Sequence, residues 1–275
     1  MLIERLSVCI ETLFPPSMSY DERIRKIASL GFRAYEFWYF DMEQQDKGWI
    51  KKGNAKNIDV IQKLNEEYGL GLVCFAINSP DGKHGGHILD RKGLKNFLKT
   101  LDHFLPIALK INIPYLIAFP GFENPGIAKA HQIRMAVSAL QKIDAIINAT
   151  GIKLLIEPLS IPKYTGYIVP TVQDATALIR EAGVKNMSIL FDFFHIQSMT
   201  GNLINTISNI IDLIGHTHIS GVPGQHEPIN GEVNYPFIIK KMLEMGYKGY
   251  FGLEYRPLIN PIDSLKETQI YLNAF

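Results

Sequence analysis

One pattern constrains this chain more than any other. Short apolar runs rich in β-branched and aromatic residues alternate with longer amphipathic segments from one end to the other. The strand-like runs are RLSVCI (5–10), AYEFW (34–38), LGLVCFA (70–76), YLIAF (115–119), IKLLIE (152–157), MSILFD (187–192), IGHTHIS (214–220) and GYFGLE (249–254). Between them, segments such as YDERIRKIASLGF, NIDVIQKLNEEYG, IAKAHQIRMAVSALQKIDAIINATG and YPFIIKKMLEMGY repeat apolar residues at three and four. Several stop at glycine, as amphipathic helices do. Eight βα units without a composition break or a Pro/Ser-rich linker predict an α/β fold, a single parallel (β/α)₈ TIM barrel domain over residues 1–275. A doubly wound dinucleotide-binding fold would need a Gly-rich phosphate turn after the first strand, and ETLFPPSMS is not one.

Charge and cysteine usage narrow the setting. Twenty-eight basic against 27 acidic residues leave a formal charge of +1, with no basic block to meet a phosphate backbone, so nucleic acid and anionic membrane are disfavoured partners. The first residues, MLIERLSVCIETLF, carry Glu4, Arg5 and Glu11 and lack the continuous apolar core of a signal peptide; no window approaches a membrane span. Cys9 and Cys74 sit in apolar runs without CxxC spacing and read as core thiols of a cytoplasmic protein.

The chemistry is at the strand ends. Barrel enzymes build their sites where strands give way to βα loops, and the last four strand runs close on Glu157 (LLIEPLS), Asp192 (ILFDFFH), His218 (HTHIS) and Glu254 (GLEYRP). Taken singly, each reads as structural: Asp192 as a helix cap, Glu157 before Pro158 as a loop acid, His218 as a hydrogen-bonded core imidazole. Taken together, three carboxylates converging at one end of a barrel would repel strongly unless a cation meets them. A site for one divalent metal ion held by Glu157, Asp192, His218 and Glu254 follows. Oxygen-rich ligation with one imidazole favours Mn²⁺, Mg²⁺ or Co²⁺ and admits Zn²⁺. His195, three residues past Asp192, is placed to hold a substrate oxygen. His226 and Glu227 line the mouth after the seventh strand, to orient substrate hydroxyls or to lock the loop. Glu36 is a candidate substrate contact, and the aromatic group beside it, Phe37 to Phe40, reads as an apolar pocket wall or, in the commoner use of such residues, as core. HGGH, His84 to His87, reads equally as a mobile lid and as an exposed flexible turn, and Tyr164 and Tyr167 read as pocket wall or, in the commoner use of aromatic residues, as core.

The segments IEPLS, FDFFHIQSMTGNL, PGQHEPINGEVNYPF and GYKGYFGLEYRP resemble the signature segments of the hydroxypyruvate isomerase-like family, in the xylose isomerase-like barrel superfamily. GFRAYEFWYF and the following βα units extend the resemblance over nearly the whole chain. It implies one divalent metal on Glu157, Asp192, His218 and Glu254. It also implies that Glu157 and Glu254 act as the catalytic acid and base, and that a small sugar or hydroxy-keto acid reacts through a metal-bound cis-enediolate. A ketose 3-epimerase on the same residues is the alternative; a barrel that only binds sugar is a third reading, and a homo-oligomer is admitted. His218 stands where hydroxypyruvate isomerases commonly carry Gln and the related ketose 3-epimerases carry His. Gln225, in PGQHEP, stands where the isomerases carry an Arg to face a carboxylate, so Gln225 is a substrate-binding candidate that argues against hydroxypyruvate itself. The endonuclease IV proteins of the same superfamily need three metals, and AINSP and FPG lack the histidines that set requires.

Overall fold

The computed structural model describes residues 2–39, 42–45, 48–51 and 56–274. In chain order its elements are β1 (Leu6–Cys9), α1 (Ile10–Leu13), α2 (Tyr20–Ser29), β2 (Ala34–Trp38), β3 (Met42–Gln45), β4 (Gly48–Lys51), α3 (Ile58–Tyr68), β5 (Gly71–Ala76) and α4 (Arg91–Lys110). There follow β6 (Tyr115–Ala118), α5 (Lys129–Ile147), β7 (Lys153–Ile156), α6 (Val172–Ala182), β8 (Met187–Asp192), α7 (Phe193–Met199), α8 (Leu203–Ile210), β9 (Ile214–Ile219), α9 (Tyr235–Glu244), β10 (Phe251–Leu253) and α10 (Pro261–Leu272). Eight strands hydrogen-bond in the order β1-β10-β9-β8-β7-β6-β5-β2, and β2 pairs back onto β1, which is the closed parallel barrel that the βα alternation predicts. Every expected strand is present, within about two residues of its predicted ends. The antiparallel pair of β3 with β4 is an addition that the sequence pattern does not announce. Among the described residues no helix is long and apolar enough to cross a membrane.

The chain falls into two compact units. One comprises Met1–Phe37, Lys56–Val73 and Phe191–Phe275, the other Trp38–Ala55 and Cys74–Leu190. In the first, β2, β1, β10 and β9 lie side by side in parallel, in a register that sets Ser7 against Ala34 and Gly252, and Gly252 against His218. Phe191, Phe193 and Tyr235 stack edge to face in its core, with ring centroids 5.0 and 5.3 Å apart. Arg5 donates to the carbonyls of Tyr247 and Gly249, tying the start of β1 to the approach of β10. Cys9 is buried here and Cys74 in the second unit, both as free thiols.

In the second unit, β6 and β7 pair in parallel with Ala118 opposite Ile156, and Leu154, Leu155 and Ile156 are all buried. Tyr39, Phe75 and Phe104 form an aromatic cluster with centroids 4.7 to 5.7 Å apart, so Tyr39 belongs to the core. The helix ends follow local rules. Thr171 and Asp174 form a capping box at the start of α6, and Gly183 ends that helix in the left-handed region at φ 64°.

Candidate active site and metal centre

Side chains alternate between the two faces of a strand, and the observed register turns that rule into a site. Ser7 and Cys9 of β1, Glu36 of β2, His216 and His218 of β9, and Gly252 and Glu254 at the end of β10 occupy alternate positions on neighbouring strands of the first unit. Their polar groups converge. Nδ1 of His218 lies 3.0 Å from Oε2 of Glu254, and Asp192, His218 and Glu254 each offer a ligand atom within 4.8 Å of the others. Cys9 Sγ lies 3.8 Å from Oε1 of Glu254. Burial, reinforced by the charges of Glu254 and Glu36, pushes the Cys9 thiol well up, so it packs beneath the carboxylates as a neutral group.

Asp192 closes β8, and its side chain is almost fully buried. Its Oδ1 accepts from the amide of Phe194 at 2.8 Å and caps α7, while Oδ2 stands 3.8 Å from Nε2 of the buried His195. The cap does not compete with a ligand role, because a carboxylate has two oxygens and about four lone-pair directions.

Glu36, from sequence a candidate to touch substrate, has its carboxylate buried, with Oε2 2.7 Å from Nε2 of His216 and 3.3 Å from Nε2 of His218. Ser7 Oγ reaches its other oxygen at 3.4 Å. Burial alone would push the Glu36 carboxyl up, but the two imidazoles outweigh it and hold the group well below the usual carboxylate range. His216 is the residue that sequence inspection misses, although HTH in a strand puts His216 and His218 on one face.

The loop after β9 is built for rigidity. Gln225 takes φ 56°; its amide donates to the carbonyl of Gly221 at 2.9 Å and its carbonyl accepts from the amide of Arg256 at 2.8 Å. His226 Nδ1 lies 2.8 Å from the carbonyl of Arg256, and since a carbonyl only accepts, that nitrogen carries the proton. Glu227 Oε1 accepts from the amide of Leu258 and from Ser264 Oγ. These bonds tie the loop in place, which is one of the two roles that the sequence leaves open for His226 and Glu227.

In the second unit, Glu157 follows β7 with its side chain buried, and its carbonyl accepts from the hydroxyl of Tyr167 at 3.0 Å. Burial, with the Glu157 charge added, pushes that hydroxyl up. Tyr164 and Tyr167 are both buried. The His84 to His87 turn is anchored: Asn78 donates to the carbonyls of Gly86 and Phe119 and accepts from the amide of Phe119, and the amide of Ser79 donates to the carbonyl of His84. Phe37 and Tyr39 are buried, while Phe40 of the aromatic group lies outside the described residues.

The sequence profile of the xylose isomerase-like TIM barrel family matches residues 24–274. The chain belongs to that family. Within it, the hydroxypyruvate isomerase of Escherichia coli (strain K12) is 36% identical over 241 residues, covering 86% of this chain and 87% of that protein. That match puts the chain in the hydroxypyruvate isomerase-like part of the family. The 2-oxo-tetronate isomerase of Pectobacterium atrosepticum is 33% identical over 199 residues, 71% of this chain and 75% of that protein. Among solved structures, AP endonuclease, family 2, from Brucella melitensis superposes with a TM-score of 0.85 at 25% identity, covering 98% of this chain and 99% of that one.

Proposed function

We propose that this protein is a divalent-metal-dependent isomerase of a small hydroxy-carbonyl compound, a sugar or a hydroxy-keto acid. The reaction class follows from family membership and from relatives named hydroxypyruvate isomerase and 2-oxo-tetronate isomerase. The observation that carries metal dependence is the approach of His218 Nδ1 to Glu254 Oε2 at 3.0 Å with Asp192 in the same cluster. Two ligand atoms each about 2.0–2.2 Å from a common ion stand roughly 3 Å apart, so the donor set fits a divalent cation. Asp192, His218 and Glu254 would hold it, with Glu157, at the end of β7, as the fourth ligand. Bound there, the ion would polarise the substrate carbonyl as a Lewis acid.

The chain's own groups divide the rest of the work. One of Glu157 and Glu254 removes the proton from the carbon beside the carbonyl, giving an enediolate, and the other returns a proton to the neighbouring carbon, while the hydroxyl proton passes to the former carbonyl oxygen so that carbonyl and hydroxyl exchange places. His195 steadies a substrate oxygen, and Gln225 offers a neutral amide to a hydroxyl. Return of the proton to the same carbon from the opposite face would give 3-epimerisation, the second reading. The neutral Gln225, buried and held at φ 56°, favours the uncharged sugars on which such an epimerase would act.

Metal-stripped protein, repleted with Mn²⁺, Mg²⁺ or Co²⁺, is offered small aldoses, ketoses and hydroxy-keto acids in deuterated water. Metal-dependent deuterium at carbon 1 or 2 supports the isomerase; deuterium at carbon 3 selects the epimerase. Binding of sugar with no exchange in any metal-loaded sample would leave only a sugar-binding barrel.

A further inference from the structure

We infer that Glu36 is a positioning residue for His218: its carboxylate holds the proton of that ring on Nε2 and so keeps Nδ1 as a lone pair directed at the cation site. The inference rests on the metal-dependent reading above. A carboxylate can only accept hydrogen bonds, so the ring nitrogen that faces Glu36 Oε2 at 3.3 Å carries the hydrogen. The neutral imidazole then presents Nδ1 unprotonated on its other edge, where Glu254 Oε2 stands 3.0 Å away. Two lone pairs opposed at that distance repel, and a shared cation turns the repulsion into joint ligation. Outer-sphere carboxylates of this kind fix the tautomer and raise the basicity of a ligating imidazole.

Two neighbours keep Glu36 where this role needs it. His216 Nε2 approaches the same oxygen at 2.7 Å, and its ring stands edge-on to that of His218, 5.3 Å away at 87°. Nδ1 of His216 has no hydrogen-bond partner among the described residues, which agrees with a neutral ring protonated at Nε2; a buried Nδ1–H there would be a donor with nothing to receive it. Gly252, the partner of His218 across the β9–β10 ladder, supplies the space. A Cβ at that position would lie 2.5 Å from Glu36 Oε1 and 2.8 Å from His218 Cδ2. Its backbone stays out of the left-handed region, so room for this pair, and not chain reversal, is what the glycine provides.

The test is metal binding, read without turnover. Wild type and Glu36→Gln are stripped with chelator and titrated with Mn²⁺ by electron paramagnetic resonance. Expected is a loss of affinity of about 10–100-fold in Glu36→Gln, with no further loss when Glu36→Gln is added to His218→Asn. Equal affinity of wild type and Glu36→Gln overturns the inference, as does an undiminished loss in the His218→Asn background. Nitrogen-15 spectra of the Mg²⁺-loaded wild type provide a measurement independent of any variant's folding. The hydrogen of His218 belongs on Nε2, and finding it on Nδ1 overturns the inference. If wild type binds no divalent ion, the metal-dependent function falls and takes this inference with it; if wild type binds and the variant matches it, this inference falls alone.

Discussion

Oδ1 of Asp192 accepts the amide hydrogen of Phe194 at 2.8 Å, so one side chain caps α7 and contributes to the ligand cluster. The two roles separate by substitution. Asparagine caps a helix as well as aspartate does, so Asp192→Asn should keep its urea midpoint close to wild type while losing Mn²⁺ affinity, and excess metal should restore much of its turnover. Asp192→Ala loses the cap as well, and about 1 kcal/mol of stability with it. A Mn²⁺ affinity unchanged in Asp192→Asn would remove Asp192 from the ligand set.

Glu157→Gln and Glu254→Gln should each abolish turnover. On the proposed mechanism each removes a negative ligand together with a proton-transfer group, so the loss should exceed the ~10² to 10⁴ expected for an acid-base group alone. Steady-state rates at saturating Mn²⁺ check this, and near-native kcat with native metal content in either variant would withdraw its assignment.

Gly252→Ala should damage the site without touching a ligand. The new Cβ would meet Glu36 Oε1, and also the carbonyl oxygen of Thr217 at 2.8 Å, which is backbone and has little freedom to retreat. Overpacking of this kind costs about 1–3 kcal/mol. The variant should melt earlier and bind Mn²⁺ more weakly; an unchanged melting curve would mean that the β9–β10 ladder relaxes around the methyl group.

A buried ion network stands beside the start of α1. Glu11 pairs with Lys56 at 2.6 Å and with Arg23 at 3.0 Å, every side chain almost fully enclosed, and the Lys56 ammonium lies 5.0 Å from the centre of the Phe37 ring. Arg23 also donates to the carbonyls of Ile10, Pro15 and Met18, which pins α1 and the loop that follows it. Glu11→Gln leaves two buried cations without their shared anion and should cost about 3–5 kcal/mol in urea unfolding. A cost below about 1 kcal/mol, the range of exposed pairs, would show that water reaches the network.

The barrel was legible because its strands are buried on both faces and so appear as continuous apolar runs, five of which carry residues that apolar packing alone cannot explain. Glu157, Asp192, His218 and Glu254 stand out as breaks in such runs, and Glu36 as the one charge in AYEFW. What remained hidden depends on partners far away in sequence. Glu36 is 182 positions from His218, so nothing local shows that its carboxylate faces an imidazole. The β3–β4 pair was hidden for the opposite reason: MEQQ and GWIK lack the alternation that marks a half-buried strand. The anchoring of His84 to His87 turns on Asn78, whose amide reaches 41 positions along the chain to Phe119.

Gln225 gives the sharpest test of substrate charge. Its backbone is fixed on both sides, by the carbonyl of Gly221 and the amide of Arg256, and its side chain is buried, so an arginine placed there inherits a defined direction. Glutamine and arginine are equally non-glycine at φ 56°, and the exchange therefore adds no new backbone penalty of the left-handed kind. A neutral amide exchanges hydrogen bonds with sugar hydroxyls but cannot give a carboxylate the bidentate, charge-assisted pairing that arginine gives. Wild type should accordingly turn over hydroxypyruvate poorly beside a neutral sugar. Gln225→Arg should raise kcat/KM for hydroxypyruvate by on the order of tenfold or more, the equivalent of ~1.5–3 kcal/mol for a hydrogen bond to a charged group, and leave neutral sugars unchanged or worse. Parallel kcat/KM measurements on both substrates decide the matter. Efficient turnover of hydroxypyruvate by the wild type would mean that another cation, such as the exposed Arg256, already faces the carboxylate, and the inference from Gln225 to a neutral substrate would be lost.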